Sequence, residues 1–125
     1  MKDLVVKKCL KCGAIIIPFN DCNCVNCGIK CCGENMSILV PNSEDAAFEK
    51  HVPNYEIVED EVYVTVNHPM EKDHFIEFIA LATDEKTYVE RLYPEMDAAV
   101  RFKYVKGATL YAYCNKHGLW KAEIK

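Results

Sequence analysis

Seven of the eight cysteines in this chain lie between Cys9 and Cys32, and 81 residues then pass before the eighth, Cys114. That crowding limits what the N-terminal third can become. A segment of fewer than about 40 residues rarely builds a hydrophobic core of its own and needs disulfides, a metal or a partner. The longest apolar run near the N-terminus, "AIIIPF", is broken by Pro18, whereas a secretory signal needs about 7–15 apolar residues in a row. The expected compartment is therefore the cytoplasm, where thiols stay reduced and clustered cysteines bind metal or do redox work. A bound metal is the expected staple.

Cys9-Leu10-Lys11-Cys12-Gly13 has the form of a metal knuckle. Two residues between thiolates let a tight turn aim both sulfurs at one ion, and the glycine admits positive φ. The second pair is open. Cys24 and Cys27, followed by Gly28, would complete a zinc-ribbon-like set, whereas Cys31 and Cys32, followed by Gly33, would supply two adjacent thiolates. Cys22 is surplus in both cases. Tetrahedral sulfur suits iron and zinc alike, so the spacing does not choose the metal.

Near residue 40 the composition changes. "EVYVTVN" alternates Val62, Val64 and Val66 with Tyr63 and Thr65, the period-two pattern of a half-buried strand. "NYEIV", "FIEFIALAT", "TYVERLY", "AAVRFKYV", "TLYAYC" and "LWKAEI" read the same way. Seven short strands at this spacing predict an antiparallel β-sandwich. The one helical piece expected is "SEDAAFEK", with Ser43 as its N-cap. A net charge of −4 leaves no basic footprint for nucleic acid. No run approaches the ~20 apolar residues that span a bilayer, so neither partner is expected.

All four histidines lie in the β-rich part: His51 in "FEKHVPN", His68 and His74 in "NHPMEKDHF", and His117 in "CNKHG". Pro69 forces a bend after the strand, and Cys114 sits three residues before His117. Loops at one end of a sandwich converge, which would bring the four histidines and Cys114 to one centre. A soft thiolate with several imidazoles suits iron better than magnesium or calcium. Five donors leave one position free on an octahedral ion, the mark of a reactive rather than a structural site.

The stretches "EKHVP", "HPMEKDH" and "YCNKHGLW" closely resemble the superoxide reductases of the desulfoferrodoxin and neelaredoxin group. "KKCLKCG" and "CCGENM" are similar to the desulforedoxin module of its two-iron members. The resemblance implies a small desulforedoxin-like metal module over residues 1–38. A seven-stranded, immunoglobulin-like antiparallel sandwich would follow over residues 39–125. It implies a ferrous ion held by His51, His68, His74 and His117 in a plane, with Cys114 as the axial thiolate. Glu49 would take the sixth position in the resting ferric form, and Lys50 would draw in the anion. The implied activity is one-electron reduction of superoxide to hydrogen peroxide, in a homodimer recharged by rubredoxin-like donors. Cys9, Cys12, Cys31 and Cys32 are the expected N-terminal set, for a second iron or a zinc, with Cys24 and Cys27 as the alternative pair. Cys22, Cys24 and Cys27 depart from the family pattern, as does the single Asn67 between the strand and His68. The surplus cysteines motivate a second reading, an electron carrier or redox sensor working at the tetrathiolate site. A third reading places zinc in both sites with a structural role. Gly118 is expected to ease the last turn, and Leu119 and Trp120 to screen the sulfur from water.

Overall fold

The computed structural model describes residues 3–20, 28–44 and 50–125. The chain divides into two compact units, Leu4–Val40 and a second that comprises Met1–Asp3 and Pro41–Lys125. The expected helical piece falls mostly on residues outside the described ones, and no α-helix is found among the described residues.

The first unit is built from two-residue strands: β1 (Lys7–Lys8), β2 (Ile15–Ile16), β3 (Lys30–Cys31), β4 (Glu34–Asn35) and β5 (Ser37–Ile38). They form a three-stranded sheet in the order β2-β1-β5 and a β3-β4 hairpin. Its buried apolar side chains among the described residues are Leu4, Val6, Cys9 and Met36, while Leu10, Ile38, Val40 and a fully open Phe19 face solvent. So few buried side chains among the described residues make too small a core to hold such a segment alone, and the module depends on what its cysteines hold.

The second unit carries β6 (Asn54–Val58), β7 (Glu61–Thr65), β8 (Ile76–Ala82), β9 (Thr87–Arg91), β10 (Ala99–Lys103), β11 (Thr109–Cys114) and β12 (Gly118–Glu123). Each falls on one of the seven stretches read as strands in the sequence. All pairings are antiparallel, giving one sheet in the order β10-β7-β6 and another in the order β12-β11-β8-β9. One core joins the two sheets: Val62, Val64, Val100 and Phe102 from the first pack with Ile79, Leu81, Leu110 and Ala112 from the second. The alternation of β7 holds, with Val62 and Val64 buried and Tyr63 and Thr65 half-buried. Central strand β11 is buried at all six positions, because Tyr111 and Tyr113 are covered on the opposite face and Tyr113 stacks on Phe78 at 5.8 Å.

The β8–β11 ladder carries one irregularity. Tyr113 pairs with Phe78, yet Cys114 pairs with Ile76, so Glu77 is an extra residue. A strict two-residue period would turn Ile76 away from Ile79 and Leu81. The bulge returns it to the core face, opposite Cys114, where both are fully buried. Bulges commonly re-aim side chains beside functional sites, and this one lies at the end of β11 that bears the thiol.

Leu110 is fully buried in the cluster that joins the sheets. Leu110→Ala should lower the unfolding free energy by about 2–5 kcal/mol through lost transfer and an unfilled cavity. Calorimetric unfolding of matched samples measures this, and a loss below about 1 kcal/mol would show that the two sheets do not share a tightly packed core.

Candidate metal centres

Four loops or strand ends meet at the Cys114 end of the sandwich. His51 precedes β6, His68 follows β7 and His74 precedes β8, while Cys114 and His117 flank the β11–β12 turn. The turn at Asn67 is as short as the sequence suggested, closed by the His68 N–H donating to the Val66 carbonyl at 2.9 Å. Gly118 closes the last turn with φ of +79°, and a Cβ there would come within 2.9 Å of the Glu44 Cγ. Any other residue at that position would meet both strain and a clash.

The four imidazoles form a closed cycle, His51–His68–His74–His117–His51. Centroid separations round it are 4.8, 4.6, 5.1 and 4.9 Å, and each ring is steeply inclined to the next. The His117 Nδ1 lies 3.1 Å from the His51 Nε2 and 3.3 Å from the His74 Nε2. The Cys114 Sγ lies 3.2 Å from the His68 Nε2 and 3.7 Å from the His117 Nδ1. All five donor atoms fall within 4.8 Å of one another. Donors bound about 2.1 Å from an ion stand roughly 3.0 Å apart when adjacent and roughly 4.2 Å apart when opposite. The observed separations are those of ligands around one ion.

Local chemistry prepares the donors. The His68 Nδ1–H donates to the Pro69 carbonyl at 2.6 Å, which fixes the tautomer and leaves Nε2 as the free lone pair. Burial holds the His68 imidazolium down to a pKa of about 4, and the neighbouring histidines push the same way, against the Pro69 hydrogen bond. Burial raises the Cys114 thiol, with the Glu77 charge adding to it, while the backbone N–H groups of Lys116 and His117 pull it down. A fully buried thiol in this state ionises when a metal cation replaces its proton. Cys114 is sealed and His51 is 4% exposed, whereas His68, His74 and His117 are half-buried. Solvent therefore reaches the centre from the imidazole side.

Trp120 makes two contacts with the histidine cycle that the sequence does not announce. It is fully buried, opposite Ala112 across the hairpin. Its indole stacks on His51 at 4.9 Å, and its Nε1–H donates to the His117 carbonyl at 2.9 Å. It braces the first and last histidines of the cycle. Lys50 is described and exposed beside His51; Glu49 lies outside the described residues.

The second group is Cys9, Cys12, Cys31 and Cys32. Cys12 and Cys31 sulfurs are 3.6 Å apart, and those of Cys31 and Cys32 are 4.0 Å apart. Four sulfurs about 2.3 Å from a central ion stand roughly 3.8 Å apart in a tetrahedron. Adjacent cysteines serve one ion because Cys32 and Gly33 form the two-residue turn of the β3–β4 hairpin, with φ of 54° and 79°. Such a turn requires positive φ at both residues. Cys32 is the costly member, and strain of this kind persists where function holds it. The backbone N–H of Cys12 lowers the Cys9 thiol to about 6, while hydrogen bonding within the cluster, led by Cys12, raises Cys31 to about 12. Cys22, Cys24 and Cys27 lie outside the described residues. Both groups have the donor sets that the family resemblance implies, one for an iron ion with four imidazoles and a thiolate, the other for a tetrathiolate ion.

Trp120→Phe keeps a ring against His51 but removes the donor to the His117 carbonyl. An unpaired buried acceptor costs about 1–3 kcal/mol. The urea midpoint should fall without a change in the slope of the transition; an unchanged midpoint would show that the indole N–H contributes nothing.

Comparison with known proteins agrees with this geometry. A family model described as desulfoferrodoxin matches residues 43–123. The desulfoferrodoxin of Syntrophotalea carbinolica is 39% identical over 125 residues, covering 96% of each chain. That of Clostridium acetobutylicum is 41% identical over 99 residues, covering 77% of this chain and 79% of its own. Among solved structures, the superoxide reductase from Treponema pallidum superposes with a TM-score of 0.73 at 25% identity, covering 96% of this chain and 98% of its own. The superoxide reductase (1Fe-SOR) from Giardia intestinalis gives a TM-score of 0.54 at 28% identity, covering 62% of this chain and 98% of its own. Because the family match spans the sandwich and the Syntrophotalea relative aligns along nearly the whole sequence, this chain belongs to the desulfoferrodoxin family.

Proposed function

We propose that this protein is an oxidoreductase that reduces superoxide by one electron to hydrogen peroxide at the His/Cys centre. The observation that carries this reading is the set of five convergent donors, one short of the six an octahedral ion accepts. The likeness to solved superoxide reductases supports it. When bound there, a ferrous ion supplies the electron.

The chain's own residues do the rest. Four neutral imidazoles and one thiolate leave a divalent ion with a single net positive charge. That local charge favours a small anion although the whole chain carries −4. Lys50, exposed beside His51, adds a second positive charge that steers superoxide inward, an effect that salt weakens. Cys114 donates electron density that eases release of the product. Glu49 is assigned the carboxylate of the oxidised resting state. Protons for the peroxide come from solvent at the half-exposed imidazole side.

Residues 1–38 form, on this reading, the desulforedoxin-like module and residues 39–125 the reductase domain. Cys9, Cys12, Cys31 and Cys32 hold a second iron, or a zinc, whose coordination is complete; such a site transfers electrons or staples the fold and offers no place to a substrate. Reduction of superoxide alone yields no dioxygen, so an external donor must restore the ferrous state, and a rubredoxin-like protein fits that requirement. A homodimer in the cytoplasm is the assembly and compartment we assign. Among the described residues, no helix is long and apolar enough to cross a membrane.

Rapid mixing of the reduced, iron-loaded protein with superoxide tests the function. One superoxide consumed and one peroxide formed per oxidised His/Cys centre is the expected result, and dioxygen release or consumption no faster than by free iron would refute it. Lys50→Ala should slow capture several-fold at low salt and flatten its ionic-strength dependence.

A further inference from the structure

His74 is supported differently from its neighbours Cys114, His117 and His68. Cys114 and His117 flank a hairpin turn, and His68 leaves β7 directly through Asn67. His74 instead sits in the irregular connection between Asn67 and β8. That connection closes on itself: the Glu71 N–H donates to the His74 carbonyl at 3.0 Å, and the His74 N–H donates to the Glu71 carbonyl at 3.3 Å. These bonds shape the loop but do not attach it to the hairpin bearing the thiol.

Asn115 makes that attachment. Its Nδ2–H donates to the Asp73 carbonyl at 3.0 Å, and its Oδ1 accepts from the Phe75 N–H at 3.0 Å. Its backbone N–H donates to the Phe75 carbonyl at 3.2 Å. The side-chain amide thus grips the peptide groups on both sides of His74. The regular β8–β11 ladder ends at the Cys114–Ile76 pair, where the main chain of β11 turns toward His117. The Asn115 side chain replaces the ladder partners that the turn removes. The role needs a donor and an acceptor on one short, planar group, which among side chains asparagine supplies.

We infer that Asn115 is a positioning residue: its amide fixes the peptide groups flanking His74 and so holds that imidazole in register with Cys114 and His117. This rests on reading the His/Cys group as a metal site. A ligand held by an outer-shell partner loses about 10–100-fold in metal affinity when the partner is removed. Because Asn115 acts through His74, its loss should matter only while that imidazole is present.

Cobalt(II) titration of the metal-stripped chain tests the inference, with the visible bands of each site reporting occupancy. Asn115→Ala should bind cobalt at the His/Cys centre about 10–100-fold more weakly, with altered ligand-field bands but a retained thiolate-to-cobalt band, and with the tetrathiolate site unchanged. Asn115→Asp, which keeps the acceptor and loses the donor, should fall between. In a double-mutant cycle, adding Asn115→Ala to His74→Ala should cost no more than about twofold further. An affinity within about twofold of wild type for both single variants overturns the inference, as does full additivity in the cycle. If Asn115→Ala does not fold, Asn115→Asp with its own His74→Ala cycle decides the question by the same two criteria. Failure of the wild-type chain to bind cobalt at the His/Cys group would instead overturn the reading of the site itself, and the inference with it.

Discussion

Five electron-pair donors lie within 4.8 Å of one another at one end of the sandwich. Gathering lone pairs so closely in a partly buried place is unfavourable unless a cation sits among them. The surrounding chemistry carries that cost openly: burial pushes the Cys114 thiol up and holds the His68 imidazolium down. The Cys114 shift favours a protonated thiol in the metal-free protein and is offset when a cation takes the proton's place on sulfur, whereas the His68 shift keeps that imidazole neutral and able to donate its lone pair. Metal binding and the order of this end of the fold are therefore linked, as they are wherever ligands must deprotonate to bind.

The rest of the architecture serves to make the crowding possible. The Glu77 bulge turns Ile76 to the core opposite Cys114, Gly118 closes the last turn, and Trp120 braces His51 against the His117 carbonyl. These supports stand on a rigid two-sheet core, which suits a site whose donors must be held to within about half an ångström. In the first unit the proportions are reversed. Few side chains are buried, and a hairpin with two successive positive φ angles, at Cys32 and Gly33, is retained to bring adjacent sulfurs to one point. There the ligand cluster is the organising feature and the strands are short pieces around it.

Much of this was legible in the sequence because it rests on local rules. Val62, Val64 and Val66 alternate as a half-buried strand must, and the five donors sit at strand ends. Spacing alone left Cys31–Cys32 and Cys24–Cys27 open, and it was the resemblance to the two-iron members that favoured the first pair, which the structure groups with Cys9 and Cys12. The grouping of Cys31 and Cys32 with Cys9 and Cys12 depends on a tight turn of positive φ that few sequence signals announce. The contacts of Trp120 were hidden for a related reason. Its neighbourhood in sequence is Cys114 and His117, but the hairpin register pairs it with Ala112 and stacks it on His51, a residue far away in the chain. Asn115 gave no signal at all, because one asparagine in a turn reads as a turn former, and its bonds to Asp73 and Phe75 exist only in three dimensions.

The central claim is that one chain holds two metal centres of different chemistry, and that iron at the His/Cys group is the reactive one. Metal analysis and visible spectroscopy of anaerobically prepared wild-type and Cys114→Ser proteins test it most directly. The account requires iron at the His/Cys centre of the wild type, with a thiolate-to-iron absorption band that disappears in Cys114→Ser while the tetrathiolate metal stays in place. Zinc at the His/Cys centre, or a band that survives the loss of Cys114, would contradict it.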